Sequence, residues 1–286
     1  MATGGTDSLV IDNRPSQTGL ARGAIHALVI GVSYYSRPIS SLRLPSREGP
    51  ALAAHRFASY LVDEFQTQDP LNRPLGTLRL LLSPMPRNRE GLADRADLRD
   101  PPPVDVENVE NALHDWAIDC NSSPDNLGVF YAAGHGVYGR QGATLFLLPE
   151  APARRWPGAA AIDLAAVEEQ MADCAATQNL YIYDCCAVQD EILGQSRAIS
   201  LHQTLQDNDG LRRGNEGKIR ISAAKAGTET YALGTRGTLL SQSLLGEYAD
   251  RAGNDALLRI AGELDSSDRR LRRGRCIGHS LPSSQG

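Results

Sequence analysis

Continuous apolar runs of strand length alternate with amphipathic stretches along most of this chain. Ala24-Ile-His-Ala-Leu-Val-Ile-Gly-Val-Ser-Tyr-Tyr35 is the first such run. Uninterrupted apolar character suits a strand buried on both faces of a parallel sheet. Ser36 to Gly49 reads as a loop, and Pro50 then opens a helix where a missing amide donor is tolerated. Leu52, Phe57, Leu61 and Phe65 recur through that helix at helical spacing. Gly76 to Ser83 is the second strand, so a strand, helix, strand rhythm points to a right-handed parallel crossover. Pro84 to Pro103, crowded with Pro, Arg and Asp, is longer than a mere connection.

Val104 to Cys120 is a helix with Val106, Val109, Leu113, Trp116 and Ala117 on one stripe. Leu127 to Ala133 is the third strand, and Gly142 to Pro149 is expected to join a short hairpin with the chain around Tyr138. A helix follows over Asp163 to Ala176, with Asp163 placed to cap it. Asn179 onward is the fourth strand. Ala187 to Gly217 is polar and irregular apart from a helical turn expected around Ile199 to Leu205. Lys218 to Ala224 is the fifth strand and Gly237 to Tyr248 a helix. Asn254 to Gly286 carries one weakly amphipathic helix and a tail rich in Ser, Gly and Arg. The pattern predicts one α/β domain over residues 24–265 with a mostly parallel sheet of about six strands. A disordered arm is expected over 1–23 and a flexible tail over 266–286.

Composition narrows the function classes. Of 286 residues, 41% are apolar and 22% charged, as in an ordinary globular protein. A net charge of -5 argues against nucleic-acid binding, and the one basic run, Arg269 to Arg275, sits among acids. No apolar stretch approaches the ~20 residues that span a bilayer, and residues 1–23 lack the charged start and apolar core of a secretory signal. A cytoplasmic protein without nucleic-acid or membrane partners is the expectation. The five cysteines, at 120, 174, 185, 186 and 276, contain no C-x-x-C pair and suggest neither a disulfide framework nor a metal site.

Two strands end in chemistry. The run Asn179-Leu-Tyr-Ile-Tyr stops at Asp184-Cys185-Cys186, and Leu127 to Ala133 stops at Gly134-His135-Gly136. One helix and one strand intervene, so a single crossover can bring the corners together at the carboxyl edge of the sheet, where open α/β sheets place ligands. A histidine within hydrogen-bond reach of a thiol raises the population of the nucleophilic thiolate. Strand alternation sends Cys185 to the face opposite Cys186 and into the core. Cys120, Cys174 and Cys276 read as structural. His26, His55 and His114 read as packing or surface residues.

Three segments resemble the caspase-like cysteine proteases, the group of caspases, metacaspases and paracaspases: Tyr131-Ala-Ala-Gly-His-Gly136, Tyr181-Ile-Tyr-Asp-Cys-Cys186 and Ala27-Leu-Val-Ile-Gly-Val-Ser-Tyr-Tyr35. Ser222-Ala-Ala224 and Gly237-Thr-Leu-Leu-Ser-Gln242 resemble the later strand and helix, so the likeness covers about Ala24 to Asp250. His135 precedes Cys186 by 51 residues, matching a known caspase spacing of about 50. Asp-Cys-Cys is closest to metacaspases. The resemblance implies a three-layer sandwich with helices flanking the sheet.

It also implies roles. Cys186 would be the nucleophile and His135 the general base and acid, with the Gly136 and Cys186 amides as oxyanion hole. Asp184 would line the pocket for the residue before the scissile bond and favour Arg or Lys there. The chain departs from the family in reading Ala187-Val188 after the cysteine and Arg47-Glu-Gly-Pro50 in the first-strand loop, where Glu48 is a candidate second pocket acid. No acidic cluster resembles a calcium site. The expectation is a cysteine endopeptidase without cofactor or metal, made as a zymogen and acting on protein substrates in a defence or cell-death setting. Processing is expected near Arg197, Arg212 or Arg213, by self-cleavage, by another protease or with an activating partner protein. A catalytically silent interaction module and a non-proteolytic thiol hydrolase are the alternatives.

Overall fold

A computed structural model describes residues 7–14, 23–35, 46–67, 73–89, 92, 95–98, 100–138, 144–149, 161–189, 198–199, 217–225, 228–230 and 232–245. In chain order the elements are β1 (Leu9–Asp12), β2 (Ile25–Val32), α1 (Gly49–Thr67), β3 (Leu75–Ser83), α2 (Val106–Asn121), β4 (Leu127–Gly134), β5 (Gly136–Tyr138), β6 (Thr144–Leu147), β7 (Ala161–Asp163), α3 (Leu164–Met171), β8 (Gln178–Cys185), β9 (Val188–Gln189), β10 (Ala198–Ile199), β11 (Gly217–Ser222) and α4 (Leu239–Leu244).

Six strands make the main sheet in the order β1-β3-β2-β4-β8-β11. All pair in parallel except β1, which runs antiparallel on β3. The continuous apolar runs are the central strands. Every residue of β2, β4 and β8 is buried, as a sheet covered on both faces requires. Strand alternation divides their side chains between two cores. Phe130, Tyr181, Tyr183 and Cys185 join the α2 and α3 side, around Trp116 and Met171. Val129, Tyr131 and Ile182 join the α1 side, around Phe57 and Leu61. Helices thus flank a mostly parallel sheet.

Local sequence sets the helix starts. Asp105 caps α2 by accepting from the Asn108 amide at 2.8 Å, and Asp163 caps α3 by accepting from the Ala165 and Ala166 amides. At α1 the cap comes from the preceding strand: Ser33 Oγ donates to the Glu48 carbonyl and accepts from the Ala51 amide, both at 2.9 Å. This ties the start of α1 to the carboxyl edge of β2.

Several expectations need correction. Residues 1–23 are not uniformly a disordered arm, since Leu9–Asp12 is an edge strand. Arg14 holds it down through Asp12 and, at 2.9 Å, through buried Asp119 of α2. Four residues with no long apolar run gave no strand signal. The helix expected through Ala176 stops at Met171. The segment from Pro84 to Pro103 contains 3-10 turns at Pro86–Asn88 and Ala96–Leu98, and buries Leu92 and Leu98 against the α1 side. Ile199, the start of the expected helical turn, lies in a strand, and the rest of that turn, 200–205, lies outside the described residues.

The hairpin expected around Tyr138 is present, β5 pairing antiparallel with β6. It belongs to a second sheet, β10-β7-β6-β5-β9, that the sequence pattern did not suggest. Its outer strands, β10 and β9, are two residues long each, and their pairing is non-local. Among the described residues no helix is long and apolar enough to cross a membrane. The expected C-terminal helix and tail, and Arg197, Arg212 and Arg213, lie outside the described residues.

Candidate active site

β4 and β8 are neighbours in parallel register, Gly134 standing level with Cys185. His135 and Cys186 are the next residue on each strand, and so leave the sheet side by side at its carboxyl edge. Both line one cavity of about 450 Å³, together with Gly136, Asp184, Arg47, Glu229, Thr230 and Thr238. The loop after β11 and the start of α1 close its other sides.

Gly136 is where the two sheets meet. β5 runs beside β9 in parallel, Val137 level with Val188. A Cβ on Gly136 would collide with the Cys186 carbonyl oxygen and stand 2.9 Å from Cys185 Sγ. Glycine is therefore required by close approach of two backbones. Cys185 is buried in the α2-side core, where burial pushes its thiol well above the usual range. It packs in the core, as strand alternation predicts.

Cys186 is half-buried and held by a backbone loop. Its Sγ accepts from the Thr230 amide at 3.3 Å and donates to the Thr230 carbonyl at 3.8 Å. Ala187 donates its amide to the Thr228 carbonyl at 3.0 Å, so the two segments lie side by side. Burial raises the Cys186 thiol above its ordinary value, against the Thr230 amide and the Arg47 charge, which lower it. The resting group is a thiol at neutral pH, and its use as a nucleophile needs a base.

His135 is held by Tyr35. The His135 amide donates to Tyr35 Oη at 3.0 Å, and the Tyr35 ring packs on the imidazole with centroids 4.9 Å apart. Tyr35 in turn donates to the Leu147 carbonyl at 3.4 Å. One buried phenol thus fixes the corner of β4 against β6.

Asp184 sits deeper, only 1% exposed. Its Oδ2 accepts from Tyr131 at 2.8 Å and from the Thr238 hydroxyl, whereas Oδ1 has no donor among the described residues. Burial pushes its carboxyl up to about 6, with the two hydroxyls and the Ser241 amide limiting the rise. Glu48 is not on the cavity wall; it pairs with Arg87. The acid that does join Asp184 there is Glu229.

The structure therefore brings together His135, Gly136, Asp184 and Cys186, as the spacing led one to expect. It adds Tyr35, Arg47, Tyr131, Glu229, Thr230 and Thr238. Of these only Thr238 carried a local signal, as a hydroxyl residue before a helix. Among the described residues no group of three or more His, Cys, Asp or Glu side chains could hold a metal ion. No family model matches the chain, and no curated protein is detectably similar to it in sequence.

Proposed function

We propose that this protein is a cysteine endopeptidase of the caspase-like kind, cleaving proteins after a basic residue. What carries the reading is the pairing of β4 with β8, which sets His135 beside Cys186 on the wall of one cavity with a buried acid between strand and loop. His135 takes the Cys186 thiol proton as Sγ attacks the scissile carbonyl. The oxyanion is received by the Gly136 and Cys186 amides. The carbon–nitrogen bond breaks, His135 gives the proton to the leaving amine, and a Cys186 thioester remains. Water, losing a proton to His135, hydrolyses it and restores the thiol.

Asp184 favours a cationic side chain before the scissile bond. Its buried Oδ1 lacks a donor among the described residues, and a carboxylate in that state is costly until a cation arrives. Glu229 adds a second negative charge on the same wall. One observation favours another substrate: Arg47 also lines the cavity and forms no ion pair among the described residues, which suits an acidic side chain. Asp184 lies deeper and is the better placed of the two.

Fluorogenic peptides ending in Arg, Lys and Asp, assayed with wild type and Cys186→Ala, test the reading. Turnover after Arg or Lys, lost in Cys186→Ala, is expected. Turnover that survives the substitution removes Cys186 from the chemistry. Cleavage after Asp alone transfers recognition from Asp184 to Arg47.

A further inference from the structure

We propose that Thr238 and Tyr131 lock the Asp184 carboxylate with Oδ2 saturated, leaving Oδ1 as the oxygen that accepts from a basic side chain, which makes Thr238 a positioning residue for substrate recognition. This rests on the reading of Asp184 as the specificity acid.

A carboxylate oxygen accepts along two lone-pair directions. Both of those on Oδ2 are taken, one by Tyr131 of β4 at 2.8 Å and one by Thr238 at the start of α4. Neither hydroxyl can turn away cheaply. Thr238 Oγ1 also accepts from the Ser241 amide at 3.1 Å, so its proton has one direction left, toward Asp184. Tyr131 stacks on Phe57 with centroids 4.6 Å apart and is fully buried. The carboxylate is therefore held from two elements at once, and its rotation is blocked.

The consequence is chemical. With Oδ2 occupied, Asp184 cannot take the two-pronged clamp that a guanidinium makes with a free carboxylate. It offers one oxygen, whose two lone pairs accept from an ammonium or a guanidinium alike. Asp184 therefore selects for positive charge, and any preference for Arg over Lys must come from another wall of the cavity. Thr238 does this while also capping α4, where Ser241 Oγ donates to the Thr238 carbonyl at 3.0 Å. A substrate cation on Oδ1 is thereby connected to the first turn of α4.

The test is the titration of the Asp184 carboxyl, followed by carbon-13 NMR on the whole chain. The titratable and charged groups near it are Tyr131 on β4, Cys186 on the same face of the chain and Cys185 on the opposite face, and His135, Arg47 and Glu229 around the cavity. Thr238→Val removes one donor to the charged form and should raise the Asp184 midpoint by about one pH unit. Tyr131→Phe, which keeps the stack on Phe57, removes the other donor and should do the same. Thr238→Ser retains the hydroxyl and should restore the wild-type value. Ser241→Ala removes the Oγ bonds of the cap but keeps the Ser241 amide, which also favours the Asp184 carboxylate, and should leave the midpoint unchanged.

With Arg and Lys peptides, Thr238→Val should raise KM about tenfold with kcat changed less than about threefold, equally for both peptides. A midpoint unmoved in both Thr238→Val and Tyr131→Phe overturns the proposal, as does an equal shift in Ser241→Ala. A shifted midpoint in an enzyme that hydrolyses neither basic peptide upholds the carboxylate lock and refutes the proposed specificity instead.

Discussion

Gly136 lies so close to Cys186 that any side chain on it would run into the Cys186 carbonyl oxygen. The contact joins the β4–β5 corner to the end of β8 and brings the Gly136 amide to the mouth of the cavity. Gly136→Ala must push these backbones apart. It should lower kcat/KM at least 100-fold and destabilise the fold by about 1–3 kcal/mol. Steady-state kinetics with thermal unfolding reads both, and wild-type activity in the alanine variant would show that the close approach is unnecessary.

Asp184 should be retained at a cost in stability. Its carboxyl titrates near 6 when folded, above its ordinary 3.8. A group whose folded value is raised contributes stability below its unfolded pKa and loses that contribution as pH rises through the folded value. The penalty is therefore absent below about pH 4 and complete above about pH 6. Asp184→Asn should stabilise the protein by about 2 kcal/mol at pH 7, and little at pH 4, while abolishing turnover after Arg and Lys. Urea unfolding at the two pH values measures this, and equal stabilisation at both would contradict it.

Tyr35 holds the His135 amide. Tyr35→Phe keeps the ring against the imidazole and deletes the acceptor, so a buried N–H loses its partner. The expected loss is about 1–3 kcal/mol of stability. With His135 in its proposed role, a fall in kcat of about tenfold should accompany it, because misplacing a reacting group is costly. Unchanged kcat would mean that His135 is held without the phenol.

Far from the cavity, Arg79 is 4% exposed and bonds Asp119 at 3.0 Å and Asp115 at 3.1 Å. Arg79→Ala leaves the buried Asp119 with only the half-exposed Arg14 as a cation among the described residues, beside the Thr77 hydroxyl, and should cost about 3–5 kcal/mol. Arg14→Ala should cost only about 1 kcal/mol, since Arg14 is half-exposed and its pairing is screened. Chemical denaturation separates the two, and kcat/KM of the folded protein should not change in either.

The main sheet was readable because its strands announce themselves locally. Runs such as Ala24 to Tyr35 and Leu127 to Ala133 are apolar throughout, and only a strand covered on both faces tolerates that. The boundaries at Pro50, Asp105 and Asp163 follow from residues that satisfy or dispense with helix-end donors. The second sheet was invisible because two- and three-residue strands such as β9 and β7 carry too few positions for a period to show. Their pairing is decided by partners far away in the chain.

The candidate site divides along the same line. His135, Gly136, Asp184 and Cys186 could be nominated from the chain alone, because strands that end abruptly in a thiol and an imidazole one crossover apart can meet in few other ways. The second acid could not: Glu48 sits near the first strand in sequence, yet its carboxylate turns to Arg87, and Glu229 takes the wall. Nor could residue type reveal that Tyr35 steadies His135, that Thr230 brackets the thiol, or that Asp184 keeps one oxygen free. Which groups are candidates for the chemistry is written in residue type and spacing. How each is oriented and charged depends on hydrogen bonds between segments that only folding brings together.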